Sequence, residues 1–257
     1  MKAARQALEL DPDYACALSS LGYLKRTYEW DWTGAQEAID KARLLEPNNS
    51  NVMGSAASLA NSLGQSEKAI ALFEKKVSLD PLSLPGLRAL ALSYSKVGRY
   101  KDAIELLERV LTINPDYPTA RRDIGIVYLR KGDFDQALEE LEQAPAASIN
   151  DFYRANILFR AGRESEAQAL FDQLINTSAV DYAMPKAAVY AASGNLDAAF
   201  EWLEVAYRQR DIGLAFILQN FWLKPLHEDP RFAEIIEKMG LLPYWEAMPS
   251  EYGGPEQ

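Results

Sequence analysis

The chain has 257 residues, of which 48% are hydrophobic and 25% charged, so it is long enough and apolar enough to bury a core. Its formal net charge of −10 disfavours contact with phosphate backbones, so we expect this segment to bind no nucleic acid. A single cysteine excludes an intrachain disulfide, and no run approaches the roughly 18 apolar residues of a membrane span, so we expect no membrane insertion.

The first predicted element is a helix over residues 2–10, which Pro12 follows. Its apolar face consists of Ala3, Ala4, Ala7 and Leu8. No helix precedes it that could cover this face, whereas a helix at the end of a folded array normally presents a polar face to solvent. We therefore expect that more protein lies upstream in the natural protein; a short natural cap is the alternative.

The ending of this helix recurs along the chain with a nearly constant spacing. Four prolines stand 35, 34 and 34 residues apart, at Pro12, Pro47, Pro81 and Pro115. Three glycines keep the same step, at Gly64, Gly98 and Gly132, and shorter steps lead to Gly162 and Gly194. Alanines also recur in register, at Ala35, Ala69, Ala103, Ala137, Ala167 and Ala199. Apolar residues three and four positions apart predict two amphipathic helices in each repeat, with glycine at the turn and proline at the end.

This pattern resembles the tetratricopeptide family, whose 34-residue signature has W-x2-L-G-x2-Y, then A-x3-F, then P. The clearest match consists of Leu87, Leu90, Ala91, Tyr94, Gly98, Ala103, Leu107 and Pro115. The resemblance covers roughly residues 1–210 and implies stacked helix pairs, each of which needs its neighbours to bury its apolar face. The first full repeat has one extra residue in its turn, where Trp30 and Trp32 lie. We expect these tryptophans to anchor the turn against the next helix; ligand binding is the alternative.

The C-terminal part departs from the repeat. Residues 213–223 are almost continuously apolar and predict a buried capping helix. A second helix is predicted to begin with Asp229 as N-cap and Pro230 in its first turn, and to stop at Gly240. Together with the phrase at 28–49, the sequence at 210–245 is similar to the C-terminal tetratricopeptide arrays of bacterial winged-helix transcriptional regulators, nucleotide cyclases and protein kinases. None of the N-terminal domains of those proteins is present in this chain.

Catalytic motifs are missing from the sequence. There is no phosphate-binding G-x-x-x-x-G-K-[ST] loop, no G-x-S-x-G elbow, and no cluster of histidines and cysteines that would predict a metal site. The single histidine, His227, is interpreted as a surface residue beside a helix cap, and Cys16 as a small, partly buried residue. We therefore predict no enzymatic activity, no catalytic residue, no metal and no cofactor.

The family resemblance implies that the first helices of the repeats line a concave groove that binds a protein or peptide. The predicted groove residues are Tyr23, Arg26, Asn51, Asn61, Arg88, Arg122, Arg130, Phe152, Asn156, Phe159 and Arg160. Four of them, Arg88, Arg122, Arg130 and Arg160, could form a basic strip that suits a carboxylate or an acidic peptide. The alternative is that several of these arginines form ion pairs with acidic residues of neighbouring helices.

The sequence thus predicts an all-α fold, a right-handed α-α superhelix of tetratricopeptide repeats with a non-repeat C-terminal helical cap. The predicted array covers 1–210, with a partial repeat at 1–14 and about six helix pairs, followed by capping helices at 211–248 and a frayed tail at 249–257. The predicted function is a non-catalytic interaction scaffold, the sensory or assembly arm of a larger bacterial signalling or transcriptional regulator. Structural self-association as a homodimer is the alternative. We expect a cytoplasmic location, or a periplasmic one if a transmembrane segment tethers the protein.

Overall fold

The structure is a computed structural model that describes residues 2–177, 182–250 and 254–255, and all regular structure in these ranges is helical. The α-helices in chain order are α1 (Lys2–Leu10), α2 (Ala15–Leu24), α3 (Trp32–Leu45), α4 (Ser50–Ser62), α5 (Ser66–Leu79), α6 (Leu84–Lys96), α7 (Tyr100–Ile113), α8 (Ala120–Lys131), α9 (Phe134–Glu142), α10 (Ser148–Arg160), α11 (Glu164–Thr177), α12 (Ala183–Ala192), α13 (Leu196–Gln209), α14 (Pro230–Lys238) and α15 (Leu242–Glu246). A π-helical turn covers Lys25–Glu29, and two 3-10 helices cover Ile212–Gln219 and Phe221–Leu226. None of the helices in these ranges combines the length and the apolar character that crossing a bilayer requires.

The recurring prolines and glycines of the sequence lie at the ends of the repeat helices. Prolines 12, 47, 81 and 115 each stand two residues beyond the end of α1, α3, α5 and α7. The turn glycines have left-handed backbones, as at Gly132, where φ is 89° and the residue caps α8. A side chain is strained in this conformation, so glycine is the favoured residue there.

Glycine within the first helices serves a different purpose, which is to let two helices approach closely. A Cβ atom on Gly125 of α8 would lie 2.9 Å from the backbone oxygen of Ala137 in α9. A Cβ atom on Gly22 of α2 would lie 2.5 Å from Cγ1 of Ile39 in α3. The contact of α8 with α9 therefore depends on the missing side chain, and the obstacle at Gly125 is backbone, which cannot turn aside.

The Gly125→Ala substitution should therefore separate α8 from α9 and lower the free energy of unfolding by about 1–3 kcal/mol, the usual cost of overpacking. The control is Gly98→Ala, because a Cβ atom there meets nothing within 4 Å and the only cost is the φ of 79°. We expect that control to cost about 1 kcal/mol. Urea unfolding of both variants measures the difference, and equal losses would contradict the close-approach explanation.

The extra residue of the first repeat is absorbed by the π-helical turn that follows α2. Trp30 ends this turn with a left-handed backbone, φ 56°, and Trp32 begins α3. The side chain of Trp32 is buried, and its Nε1 donates a hydrogen bond of 2.6 Å to the backbone oxygen of Met239. The expected anchor is thus present, but the group that Trp32 contacts lies near the end of the chain, not in the next helix.

The described part of the chain divides into two compact units, and the division falls inside α6. Unit 1 comprises 1–93, 212–219 and 236–257, and unit 2 comprises 94–211 and 220–235. Each unit therefore combines repeat helices with part of the C-terminal region. The predicted boundary at residue 210 matches the end of α13 at Gln209, but it does not separate two compact bodies. Within the predicted frayed tail, residues 251–253 and 256–257 lie outside the described residues.

The apolar run at 213–223 is buried, as predicted, but it does not form one capping α-helix. The first 3-10 helix is kinked at Phe216, whose φ is −122°. Asn220 then has an extended backbone, and its side-chain oxygen accepts a hydrogen bond from the backbone N–H of Trp222. This local bond begins a new turn, so the run forms two short helices.

The last predicted helix is confirmed in its details. Oδ1 of Asp229 accepts a hydrogen bond of 3.0 Å from the backbone N–H of Arg231, as an N-cap should. Pro230 is the first residue of α14, and Gly240 follows the helix with a φ of 69°.

Candidate partner-binding site

The predicted groove residues differ in how far their side chains are exposed to solvent. Buried side chains are those of Arg26, Asn61, Phe152 and Asn156. Half-buried side chains are those of Arg88, Arg122, Arg130, Phe159 and Arg160. Only Tyr23 and Asn51 are exposed. The buried residues contribute no open surface to a groove in this structure, and a role in partner binding stays a prediction for all of them.

In unit 1 the first 3-10 helix packs against α4 and the π-helical turn. The guanidinium of Arg26 lies 4.7 Å from the ring centroid of Phe216, and Nη1 donates a hydrogen bond of 2.9 Å to Oγ of Ser62. Nearby, Nε2 of Gln219 donates a buried hydrogen bond of 2.7 Å to Oγ of Ser66. Burial lowers the pKa of Arg26 to about 10, so it remains a cation at neutral pH. Arg26 therefore supports the C-terminal region of its own chain.

In unit 2 the second 3-10 helix packs against α12. The guanidinium groups of Arg130 and Arg160 lie 4.8 Å and 4.6 Å from the ring centroid of Phe221. Arg160 also points Nη2 at the backbone oxygens of Phe221 and Trp222, each at 3.4 Å. We call Arg130, Arg160 and Phe221 the arginine clamp. Burial lowers the pKa of each arginine to about 10, and their mutual repulsion adds to this at Arg130.

Two further predicted groove residues of unit 2, Asn156 and Phe152, belong to the core. Nδ2 of Asn156 donates a hydrogen bond of 2.6 Å to the backbone oxygen of Ala188, while its Oδ1 accepts one of 2.8 Å from Nε of Arg160. Phe152 packs edge-to-face on Phe171 and Tyr182. Asn156 thus orients a member of the arginine clamp, and Phe152 stabilises the stack of α10 and α11.

The alternative to a basic strip was that the four arginines form ion pairs with acidic residues. The structure shows such pairing for only some of them. Nε of Arg122 lies 3.8 Å from Oδ1 of the buried Asp123, and its guanidinium lies 5.5 Å from the ring centroid of Tyr153. Arg88 is half-buried on α6. Within the described ranges, the contacts of Arg130 and Arg160 are with aromatic rings, backbone oxygens and an amide, and include no carboxylate.

Lys96 lies in the same cationic neighbourhood and gives a testable pH dependence. Burial, followed by the charge of Arg130, lowers the pKa of Lys96 from 10.5 to about 7. The unfolded chain therefore binds more protons than the folded chain between these two pH values, so stability should rise with pH across this interval. The slope contributed by this one group is at most about 1.4 kcal/mol per pH unit.

The Lys96→Met substitution should flatten the increase in unfolding free energy between pH 7 and pH 9, about two pH units of the interval. Urea titrations at several pH values measure the slope. The matched control is Lys101→Met, which removes a lysine whose side chain is 89% exposed and should leave the slope unchanged. Equal slopes in wild type and Lys96→Met would show that a lowered pKa of Lys96 is not the source of the pH dependence.

An open groove lies in unit 1. A groove with a volume of about 650 Å³ is lined by α1, α2 and α4, and we call it the N-terminal groove. Small residues of α1, among them Ala3 and Ala7, form one wall. The exposed predicted residues Tyr23 and Asn51 line the same groove, so the structure brings these two together. A second depression, of about 800 Å³, lies in unit 2 and includes the predicted residue Phe159 beside the acidic Glu164 and Asp172.

The N-terminal groove contains residues that the sequence did not single out. Cys16 lines it and is exposed, so the prediction that this cysteine is partly buried is wrong. The reason is that Cys16 lies on the side of α2 that faces the groove, away from α3. Ser19, one turn along, also lines the groove although it is only 7% exposed. The i, i+3 spacing of small residues could have suggested a shared face, but not which element leaves it open.

The described residues show little that resembles catalytic chemistry. They contain no group of three histidine, cysteine or acidic side chains that could hold a metal ion. His227 is half-buried, and its ring centroid lies 4.5 Å from that of Phe232. It is therefore a packing residue next to the cap of α14, more enclosed than the surface position expected from the sequence.

Comparisons with known proteins agree with this architecture. Two tetratricopeptide repeat family models match residues 51–81 and 96–153. No curated protein matches the chain in sequence. A tetratricopeptide repeat protein from Parabacteroides merdae is similar in structure, with a TM-score of 0.65 and 19% identity over 84% of this chain and 89% of that one.

Two further solved structures are similar at lower scores. PilF of Pseudomonas aeruginosa has a TM-score of 0.52 and 17% identity, over 79% of this chain and 95% of that one. PilW, described as a type IV pilus biogenesis factor, has a TM-score of 0.51 and 16% identity, over 84% and 87%. Identities this low indicate a shared fold and nothing more specific. Residues 51–81 and 96–153 are therefore tetratricopeptide repeats, and the chain has the all-helical fold of a tetratricopeptide solenoid.

Proposed function

We propose that this chain is a non-catalytic scaffold that binds a partner protein through the inner face of its first helices. Tetratricopeptide repeats generally mediate contacts between proteins, and stacked repeats create extended binding surfaces. The observation that carries the proposal is the N-terminal groove, an open part of this face in which two of the predicted binding residues, Tyr23 and Asn51, lie together. Among the described residues no group of metal-binding side chains is found, and the proposed mechanism makes and breaks no bond.

We further propose that the scaffold is the binding arm of a larger bacterial regulatory protein, located in the cytoplasm. The support is the similarity of the phrases at 28–49 and 210–245 to the ends of arrays found in such regulators. The array would then bind the partner, and a domain outside this chain would carry out the regulatory activity.

Affinity capture from the source cells tests the scaffold function. The intact folded chain is immobilised, and a heat-unfolded sample of the same chain is the control for non-specific adsorption. We expect a partner that is retained in stoichiometric amounts only by the folded chain, binds again after purification in a calorimetric titration, and leaves the complex with unchanged intact mass.

Two results would contradict the proposal. Recovery of this chain alone, with a light-scattering mass of twice 28.7 kDa, would favour self-association. A partner that leaves the complex cleaved or modified would favour an enzyme.

A further inference from the structure

The first residue of the second helix differs between the repeats of unit 2. In α7 and α9 this residue is aromatic, Tyr100 and Phe134, and it stands two residues after the turn glycine. The hydroxyl of Tyr100 donates a hydrogen bond of 3.0 Å to the backbone oxygen of Arg130 in α8, the following first helix. Phe134 packs against a buried cluster that includes Leu158 of α10. In α11 the first residue is Glu164, so the ring present in the two preceding repeats is missing.

Glu164 lines the depression of about 800 Å³ in unit 2, which we call the α11–α12 groove. One wall is a face of α11 that carries Glu164, Gln168 and Asp172 at intervals of four residues. The other wall is the end of α12, at Tyr190, and the turn that follows it. Phe171 is buried, and its ring packs edge-to-face on that of Tyr190, with the centroids 4.9 Å apart. Both walls thus belong to consecutive helices inside the array.

The charged side chains that line the α11–α12 groove are both acidic. Glu164 and Asp172 are exposed, and within the described ranges neither forms an ion pair. The adjacent Arg163 has another partner, since Nε and Nη2 donate hydrogen bonds of 2.9 Å and 2.6 Å to the carboxylate of Glu166. Residues 178–181 follow the other end of α11, lie outside the described residues and include no basic residue. The groove therefore carries two carboxylates that have no cationic partner in the described part of the chain.

This combination of rings and carboxylates favours a cationic ligand group. The half-buried rings of Phe159 and Tyr190 line the groove together with the two carboxylates. An ammonium or guanidinium group is attracted to the face of an aromatic ring and forms strong hydrogen bonds with carboxylates. An anionic group is repelled by both carboxylates and by the net charge of −10. An uncharged ring fits the space but gains nothing from either carboxylate.

We propose that the α11–α12 groove binds a cationic side chain, lysine or arginine, of a partner protein. This inference rests on the proposed scaffold function and adds a contact with α11, a second helix, to those of the first helices. The cation lies between the carboxylates of Glu164 and Asp172 and the rings of Phe159 and Tyr190. It occupies the position that an aromatic side chain fills at the start of α7 and α9.

Selection of peptides from a phage-displayed random library on the full chain, at about 0.15 M salt, tests this inference. Counter-selection uses the Glu164→Tyr variant, which gives α11 the first residue of α7 and fills the groove with a side chain that the repeat accepts. We expect the peptides that bind only wild type to contain a lysine or an arginine. Replacing that residue by acetyl-lysine or citrulline should weaken binding of a fluorescein conjugate about tenfold, measured by anisotropy.

Matched variants separate the carboxylate of the groove from the overall negative charge of the chain. Glu164→Gln should weaken peptide binding about fivefold, the upper end for an exposed ion pair. Asp116→Asn removes the same charge from the exposed turn between α7 and α8 and should change the affinity by less than about twofold. Equal losses in the two variants would show non-specific attraction and overturn the groove assignment.

The remaining outcomes distinguish this inference from the proposed function. Selected peptides without a basic residue, an uncharged analogue that binds equally well, or no peptide that separates wild type from Glu164→Tyr would overturn the groove assignment. Circular dichroism of Glu164→Tyr verifies that its helices are intact. If the partner recovered by affinity capture binds Glu164→Tyr as tightly as wild type, the scaffold function stands and only the groove assignment fails.

Discussion

A chain that ends at Asp211 is expected to lose cooperative folding. Truncation there removes side chains that are completely buried, namely Leu214, Ile217, Leu218, Leu223, Leu226, Phe232 and Ile236. Burial of a side chain of this kind contributes about 1.5–3 kcal/mol. Together they match or exceed the total stability of a typical domain, which is about 5–15 kcal/mol. Because both compact units contain part of this region, neither should remain intact.

Circular dichroism during heating and urea unfolding measure the effect. The control is a chain that ends at Ser250, which retains Met248 against the turn at Gly64 and should melt within a few degrees of the full chain, about the effect of 1 kcal/mol or less. A truncated chain that keeps a sharp transition near that of wild type would show that the array folds without its C-terminal region.

The repeats could be predicted because their determinants are local. The glycines at five of the turns, from Gly64 to Gly194, and the prolines after α1, α3, α5 and α7 act within a few residues, and alanine at the helix contact recurs, as at Ala103 and Ala137. The cap of α14 was predictable for the same reason, since Asp229 and the N–H that it accepts from are two residues apart.

The contacts of the C-terminal region with the repeats were not predictable, because they join residues far apart in the chain. Trp32 bonds Met239, and Gln219 bonds Ser66, across 207 and 153 residues. The family resemblance implied an open groove lined by arginines, but it carries no information on where the residues after the array lie. A continuous apolar run such as 213–223 indicates burial without indicating the surface on which it is buried.

Substitution of Phe221 in the arginine clamp is expected to have the second large effect on stability. Phe221→Ala should lower the free energy of unfolding by about 2–4 kcal/mol, because it removes a half-buried ring and two cation–π contacts at once. Phe221→Leu keeps most of the apolar volume and should cost about half as much. Urea unfolding of both variants measures the difference. If leucine costs as much as alanine, the loss comes from the cation–π contacts; if leucine costs almost nothing, the arginines do not depend on the ring.

A double-mutant cycle decides whether these arginines serve the fold or a ligand. If the contact with Phe221 is stabilising, Arg130→Met should destabilise wild type but cost about 0.5–2 kcal/mol less in the Phe221→Ala background. A cation kept for a ligand behaves differently, because a buried charge without an acidic partner is a cost that an apolar side chain of similar volume removes. Arg130→Met would then stabilise the free protein. The sign of this one change therefore separates the clamp found in the structure from the basic strip predicted from the sequence.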